Sequence, residues 1–319
     1  MKVAVFGAAG AIGRPASAEL RRRGHQVRLV GRTAASLERL AAGDPGFEIV
    51  PADLTDVAQT RRAAAGVDAI VYVVGVDYHR FALFPGMMRT AIEAAKAEGV
   101  RELLLIMSVY PYGRPQTPTV AETHPRAPQT RKGIYRNEQL QLLLDAHDPE
   151  GLRTTALVLP DFYGPGIDNS YVKPLVDSAV NGTAAQVLGS PDLPHEYVFV
   201  PDVAPVIADL LDRPELFGTS YHFGGPGTIT QRAFGQLAYE AAGRDPATLK
   251  ISSVPKWLLQ TMGLGNTMMR EVAEMYYLFE QPVVLDDSKL RAALPHLHKT
   301  PYAEGIRLTV FARREPAHV

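Results

Sequence analysis

The residues Gly7-Ala8-Ala9-Gly10-Ala11-Ile12-Gly13 carry the clearest chemical signal in the chain. They lie between an apolar run, Val3–Phe6, and a helical pattern, Ile12–Arg23. Gly7 permits a tight turn, Gly10 lets the backbone approach a pyrophosphate, and Gly13 allows a helix to pack close on a strand. The backbone N–H groups at the helix start, with Ala9, Ala11 and Ile12 around them, would present a positive dipole end to an anion. The spacing is G-x-x-G-x-x-G, and its position after a strand and before a helix gives it weight.

Further positions fit the same dinucleotide. The second strand ends Leu29-Val30-Gly31-Arg32, with no carboxylate at its tip. A carboxylate there would hold the adenosine ribose, whereas a guanidinium pairs with a 2′-phosphate, so NADP is expected over NAD. Arg14 could assist. Asp53-Leu54 follows the third strand; the aspartate could bind the adenine amino group with Leu54 on the ring, or cap the helix starting near Asp56. Val74, Gly75 and Pro160, past the fourth and sixth strands, complete the candidate cofactor set, Gly75 letting the chain run close beneath the ligand.

These positions need a scaffold, and the pattern supplies one. Val3–Phe6, Gln26–Val30, Phe47–Val50, Ala69–Val74, Glu102–Met107 and Arg153–Leu159 read as strands. Helical patterns fill Ile12–Arg23, Ala34–Ala41, Val57–Ala64, Phe84–Glu98 and Thr130–His147. This alternation predicts an α/β protein: a doubly wound parallel Rossmann sheet of seven strands and a smaller C-terminal α+β substrate lobe that contains the strands Tyr197–Val200 and Ser220–Phe223. The expected division is 1–165 for the NADP-binding domain and 166–319 for the substrate lobe, interwoven around 197–223. Ligands of such sheets bind at the carboxyl strand ends. Tyr78 and His79 after the fourth strand, Tyr110 and Tyr112 after the fifth, and Asp161, Phe162 and Tyr163 after the sixth are therefore candidates to face substrate.

Composition narrows the function. The chain has 319 residues, 33 basic against 34 acidic, and no cysteine. The balance shows no basic excess for nucleic acid. Without cysteine there are no disulfides or thiolate sites, which suits a reducing cytoplasm. No apolar stretch is long enough for a membrane span, and Met1-Lys2 runs straight into a strand pattern, so no signal peptide is expected. The nine histidines show no ligand spacing, and no metal is expected. Trp257–Phe279, rich in Met, Leu and Tyr, suits a flexible lid over an apolar substrate or ordinary helix-packing core.

Taken together, these residues resemble the short-chain dehydrogenase/reductase superfamily, in its extended and atypical branches (NAD-dependent epimerase/dehydratase-like proteins). The likeness also rests on Ser108-Val109-Tyr110-Pro111-Tyr112-Gly113, Glu122-Thr123-His124-Pro125, Phe162-Tyr163-Gly164-Pro165-Gly166, Tyr197–Ala204 and Asp287-Ser288-Lys289-Leu290. It implies that Ser108 works with a Tyr-x-x-x-Lys pair, the tyrosine as acid or base and the lysine on the ribose. Here the pair reads Lys132-x-x-x-Arg136, as in isoflavone-reductase-like members that use a lysine. Ser108 could instead cap the next turn; Lys132 could be catalytic, bind the ribose, or sit at the surface.

The catalytic candidates are Ser108, Lys132, Arg136 and Tyr112. The expected function is an NADPH-dependent reductase of a small, hydrophobic carbonyl or conjugated metabolite. The alternatives are an epimerase or dehydratase that recycles its hydride, and a non-catalytic NADP-sensing protein. The expected partner is a small-molecule substrate, with neither nucleic acid nor membrane. By resemblance, the helices near 84–98 and 130–147 could pair across a homodimer.

Overall fold

The computed structural model describes residues 1–314. The strands fall where the apolar runs are: β1 (Lys2–Phe6), β2 (Gln26–Gly31), β3 (Phe47–Pro51), β4 (Ala69–Tyr72), β5 (Glu102–Ser108) and β6 (Arg153–Leu159). Between them run α1 (Gly13–Arg22), α2 (Ala34–Ala41), α3 (Val57–Ala64), α4 (Leu83–Ala97) and α5 (Arg131–Asp145). The following segment adds β7 (Asp161–Tyr163), α6 (Lys173–Asn181), β8 (Ala185–Leu188), β9 (Pro194–Phe199), α7 (Val200–Leu211) and β10 (Ser220–His222). Then come β11 (Thr228–Thr230), α8 (Gln231–Ala241), β12 (Ile251–Val254), α9 (Lys256–Met262), α10 (Thr267–Glu274), α11 (Tyr277–Glu280), α12 (Ser288–Ala293) and α13 (Tyr302–Arg314).

Seven strands form one sheet in the order β10-β6-β5-β4-β1-β2-β3, and every pairing is parallel. Alternation along the strands feeds two cores. Ala4, Phe6, Ile70, Tyr72, Leu103, Leu105 and Met107 pack towards α3, α4 and α5. Val3, Val5, Leu29, Val71, Leu104 and Ile106 pack towards α1, α2 and α7. A strand buried on both faces has no polar side to spare, which is why these runs are continuous rather than alternating.

The seventh strand, β10, and the helix α7 come from the second half of the chain and complete the first sheet. The rest of that half forms a three-stranded sheet, β11-β9-β7, and a β12-β8 pair. Around them α6, α8 and α13 close a separate core on Tyr163, Tyr197, Phe199 and Phe234. The chain leaves the large sheet at Leu159 and enters the small one at Asp161, so β6 and β7 set one lobe against the other.

The first turn depends on an unusually close approach. Gly7 has φ of +92°, which L side chains rarely adopt. A Cβ on Gly13 would lie 2.3 Å from the Gly7 carbonyl oxygen and 2.8 Å from Ala8 Cα, both rigid backbone. Gly13→Ala should therefore destabilise the fold by about 1–3 kcal/mol. An unchanged denaturation midpoint would show that α1 can move away from the turn at no cost.

Candidate functional site

One cavity of about 500 Å³ opens along the carboxyl edge of the large sheet. Gly7, Ala9, Gly10, Ala11 and Ile12 line one side of it, beside Val74 and Gly75 from the end of β4. Arg32, Asp53 and Leu54 lie at one end, and Ser108, Arg136, Pro160, Asp161 and Phe162 also line it. The cavity is thus long enough to contact both the glycine turn and the end of β5. Bare backbone at Gly7 and Gly10 faces where a pyrophosphate would lie, so the residues fit a dinucleotide.

At the end with Arg32, Asp53 is turned inwards on its own loop. Its carboxylate accepts hydrogen bonds from Thr55 N at 2.9 Å and Thr55 Oγ1 at 2.8 Å, which hold its pKa below the usual range. Helix α3 is capped instead by Asp56, which accepts from Gln59 N at 2.9 Å. Arg80, Thr33 and Ser36 join Arg32 in the wall. Arg80 was not singled out from sequence, because it sits in a short 3-10 turn, Tyr78–Arg80, with no pattern of its own.

At the opposite end Ser108 Oγ is buried with no hydrogen-bond partner. It does not cap the following turn. An unpartnered buried hydroxyl costs stability, so it marks a place prepared for another group. Arg136 lies in the same wall, its guanidinium 4.4 Å from the Phe84 ring centre and donating to Gln139 Oε1 at 2.5 Å. Burial lowers its pKa to about 10, leaving it cationic at neutral pH. Tyr78, Tyr110 and Tyr171 gather their hydroxyls here: Tyr78 Oη is 3.3 Å from Tyr110 Oη and bonds Tyr171 Oη closely. Tyr171, like Arg80, carried no sequence signal.

Several expected site residues lie elsewhere. Lys132 is buried, but its ammonium donates to Glu271 and, at 2.6 Å, to Glu274. Its backbone N–H also donates to Glu274, at 3.1 Å. Although burial works against it, Glu274 keeps a lowered pKa through the hydrogen bonds from Lys132. With its protons directed at two carboxylates on α10, Lys132 is absent from the cavity wall and lies behind the rings of Tyr78 and Phe81, which line it. The signal for this was Glu271-x-x-Glu274, two acids one turn apart on one helix.

Tyr112 is likewise turned into the interior. Its hydroxyl donates to His222 Nε2 at 2.6 Å, while His222 Nδ1 donates to the Val120 carbonyl at 2.9 Å. Tyr163 packs between Phe199, Phe234 and Tyr302 in the small lobe's core. His79 is exposed and outside the cavity. Gly13 serves helix packing. Arg14 donates to the Ala9 carbonyl at 2.8 Å and borders a neighbouring cavity. The four candidate cations are therefore dispersed: Arg32 and Arg136 line the cavity, Arg14 stands beside it, and Lys132 is sequestered.

Trp257–Phe279 does not cover the cavity as a lid would. Met275–Phe279 are buried core, whereas Trp257, Met262 and Met268 are exposed. None of the stretch lines the cavity. Among the described residues there is no cluster of three metal-ligating side chains, and no helix is long and apolar enough to cross a membrane.

A glycine turn on the first strand of a parallel sheet, opening into a cavity at the carboxyl edge, defines a dinucleotide-binding α/β protein. Residues 7–141 match the family described as NAD(P)H-binding. Over its whole length the chain shares its fold with solved epimerases and dehydratases. It superposes on a dTDP-glucose 4,6-dehydratase from Streptomyces venezuelae, crystallised with NAD, with TM-score 0.81 and 20% identity, covering 99% of this chain and 98% of that one. A UDP-glucose 4-epimerase from Bifidobacterium longum, with NAD+ and UDP, gives TM-score 0.80 at 18% identity, with 99% of each chain covered. A UDP-glucuronic acid 4-epimerase from Bacillus cereus, with NAD, gives 0.79 at 16%, also covering 99% of each. No curated protein sequence matches.

The side chains of Lys132, Glu271 and Glu274 are 2%, 8% and 16% exposed, so removing the lysine strands two acids in the interior. Lys132→Met should cost about 3 kcal/mol or more and lower the melting temperature, while leaving dinucleotide affinity within about threefold, a small change on the affinity scale. A stable variant with abolished cofactor binding would return Lys132 to the site.

Proposed function

We propose that this protein is an NAD(P)-dependent enzyme that moves hydride at a carbinol or carbonyl carbon of a small, uncharged, partly apolar substrate. The observation that carries this reading is one cavity that contacts both the glycine turn and the unpartnered Ser108 hydroxyl. A substrate oxygen held by Ser108 would lie in the same cavity as the cofactor, and a preformed donor there stabilises charge developing on that oxygen. Tyr78, Tyr110, Phe162 and Tyr171 supply apolar faces, with Asn169 and Ser170 as polar groups. Among the described residues Arg136 is the only cation in this part of the wall, which favours a substrate without a diphosphate of its own.

The full-length likeness to epimerases and dehydratases favours a reaction that returns its hydride over net reduction. Counting NAD(P)H against product separates the two. A hydride-returning enzyme leaves the absorbance at ~340 nm unchanged over many turnovers, and a reductase consumes one equivalent per product, since the hydride chemistry is the cofactor's.

NADP is the proposed cofactor. Arg32 and Arg80 both line the cavity near Asp53, with Thr33 and Ser36 between the sheet and α2, and neither arginine forms an ion pair among the described residues. Guanidinium groups whose donors are not taken up by an ion pair suit a 2′-phosphate, although both are near enough to Asp53 to lower its pKa. NADPH should bind at least about tenfold more tightly than NADH, with Arg32→Ala and Arg80→Ala each erasing most of the difference. Equal affinity of the unaltered protein for both would overturn this choice. Ser108→Ala should slow turnover roughly 10²–10³-fold with cofactor affinity unchanged, and a smaller effect would remove Ser108 from the chemistry.

A further inference from the structure

With Lys132 sequestered and no tyrosine–lysine pair at its usual place, the proton needed at the substrate oxygen has no evident source. The cavity wall offers one other candidate. Asp161 begins β7, two residues beyond the end of β6, and Leu159 of β6 pairs in register with Ser108 of β5. Asp161 and Ser108 thus stand at neighbouring strand ends and both line the cavity.

We propose that Asp161, set among the phenols of Tyr78, Tyr110 and Tyr171, is the group that gives a proton to the substrate oxygen and takes it back. The assignment rests on the functional reading above and names its acid–base residue. In the reducing direction a new C–H bond forms with hydride from the dinucleotide. The carbonyl π pair passes to oxygen and takes the carboxyl proton, leaving an Asp161 carboxylate and a substrate hydroxyl. In the oxidising direction the carboxylate accepts the hydroxyl proton as hydride leaves the same carbon. No further oxidant or reductant is needed.

The surroundings suit such an exchange. Burial raises the Asp161 pKa to about 7. The titratable groups that sense its charge are the phenols of Tyr78, Tyr110, Tyr171, Tyr197 and Tyr277. Burial raises the pKa of Tyr78 and holds Tyr110 and Tyr171 well above the ordinary phenol value, so all three stay neutral and bond one another rather than compete for the proton. A carboxyl that is half protonated near neutrality has the balance of acid and base strength that proton transfer in both directions requires.

Two measurements on the full chain with NADPH bound test the assignment. In protein labelled with carbon-13 at the aspartate carboxyl, one resonance should titrate near 7 and disappear in Asp161→Asn. A midpoint near 4 would overturn the proposal. With 4-nitrobenzaldehyde as the carbonyl probe, Asp161→Asn should slow NADPH-dependent reduction at least about a hundredfold. The unaltered enzyme should lose activity as pH rises through about 7, because the acid form is the donor, and the variant should lose that limb. A variant that keeps the limb, or slows less than tenfold, would also overturn it. Failure of the unaltered protein to bind NADPH would instead overturn the functional reading. Failure of the unaltered protein to reduce the aldehyde with NADPH bound would overturn the assignment of Asp161 as proton donor.

Discussion

A sheet of parallel strands has one carboxyl edge, and the whole site depends on that constraint. Every β-to-α connection leaves the sheet on the same side, so the glycine turn after β1, the Asp53 loop after β3, Gly75 after β4 and Ser108 at the end of β5 converge without being near in sequence. The convergence holds only because the strands are buried on both faces, with α1, α2 and α7 on one and α3, α4 and α5 on the other. The second half of the chain reinforces it by donating β10 to the sheet and α7 to its cover.

The segment 256–280 shows how a site position can be converted to a structural one. Helix α5 is capped by Thr130, whose hydroxyl accepts from Gly133 N at 3.0 Å, and the cap places Lys132 in the first turn. In that place the ammonium meets Glu271 and Glu274 from α10. A buried pair is costly to break even when it adds little net stability, so its value lies in fixing one geometry. Here it fastens α10 to the start of α5, while Met275–Phe279 sink into the core.

The cavity is electrically divided as a result. Arg32 and Arg80 stand with Asp53 at one end, and the other end is mainly phenol, hydroxyl and one carboxyl, with Arg136 held against Phe84. A low-polarity region beside a dinucleotide site strengthens each remaining dipole, because little water screens it. Ser108 and Asp161 stand in that region.

The sequence by itself determined the elements and the cofactor turn. Apolar runs that must be buried on both faces read as parallel strands, and local glycine spacing reports a close backbone approach, so both signals lie within a few residues of one another. The strand ends were legible too: Ser108, Asp161 and Phe162 follow from counting along those runs. Only the tertiary structure decided which side chains at those ends face inwards. Tyr110 lines the cavity while Tyr112, two residues on, bonds His222 in the interior. Lys132, one half of the expected Lys132/Arg136 pair, is claimed by acids about 140 residues away, and Arg80 and Tyr171 enter the wall from segments without pattern. A charged side chain goes to the partner that best satisfies its protons, and that partner is set by packing between distant segments, which no local spacing records.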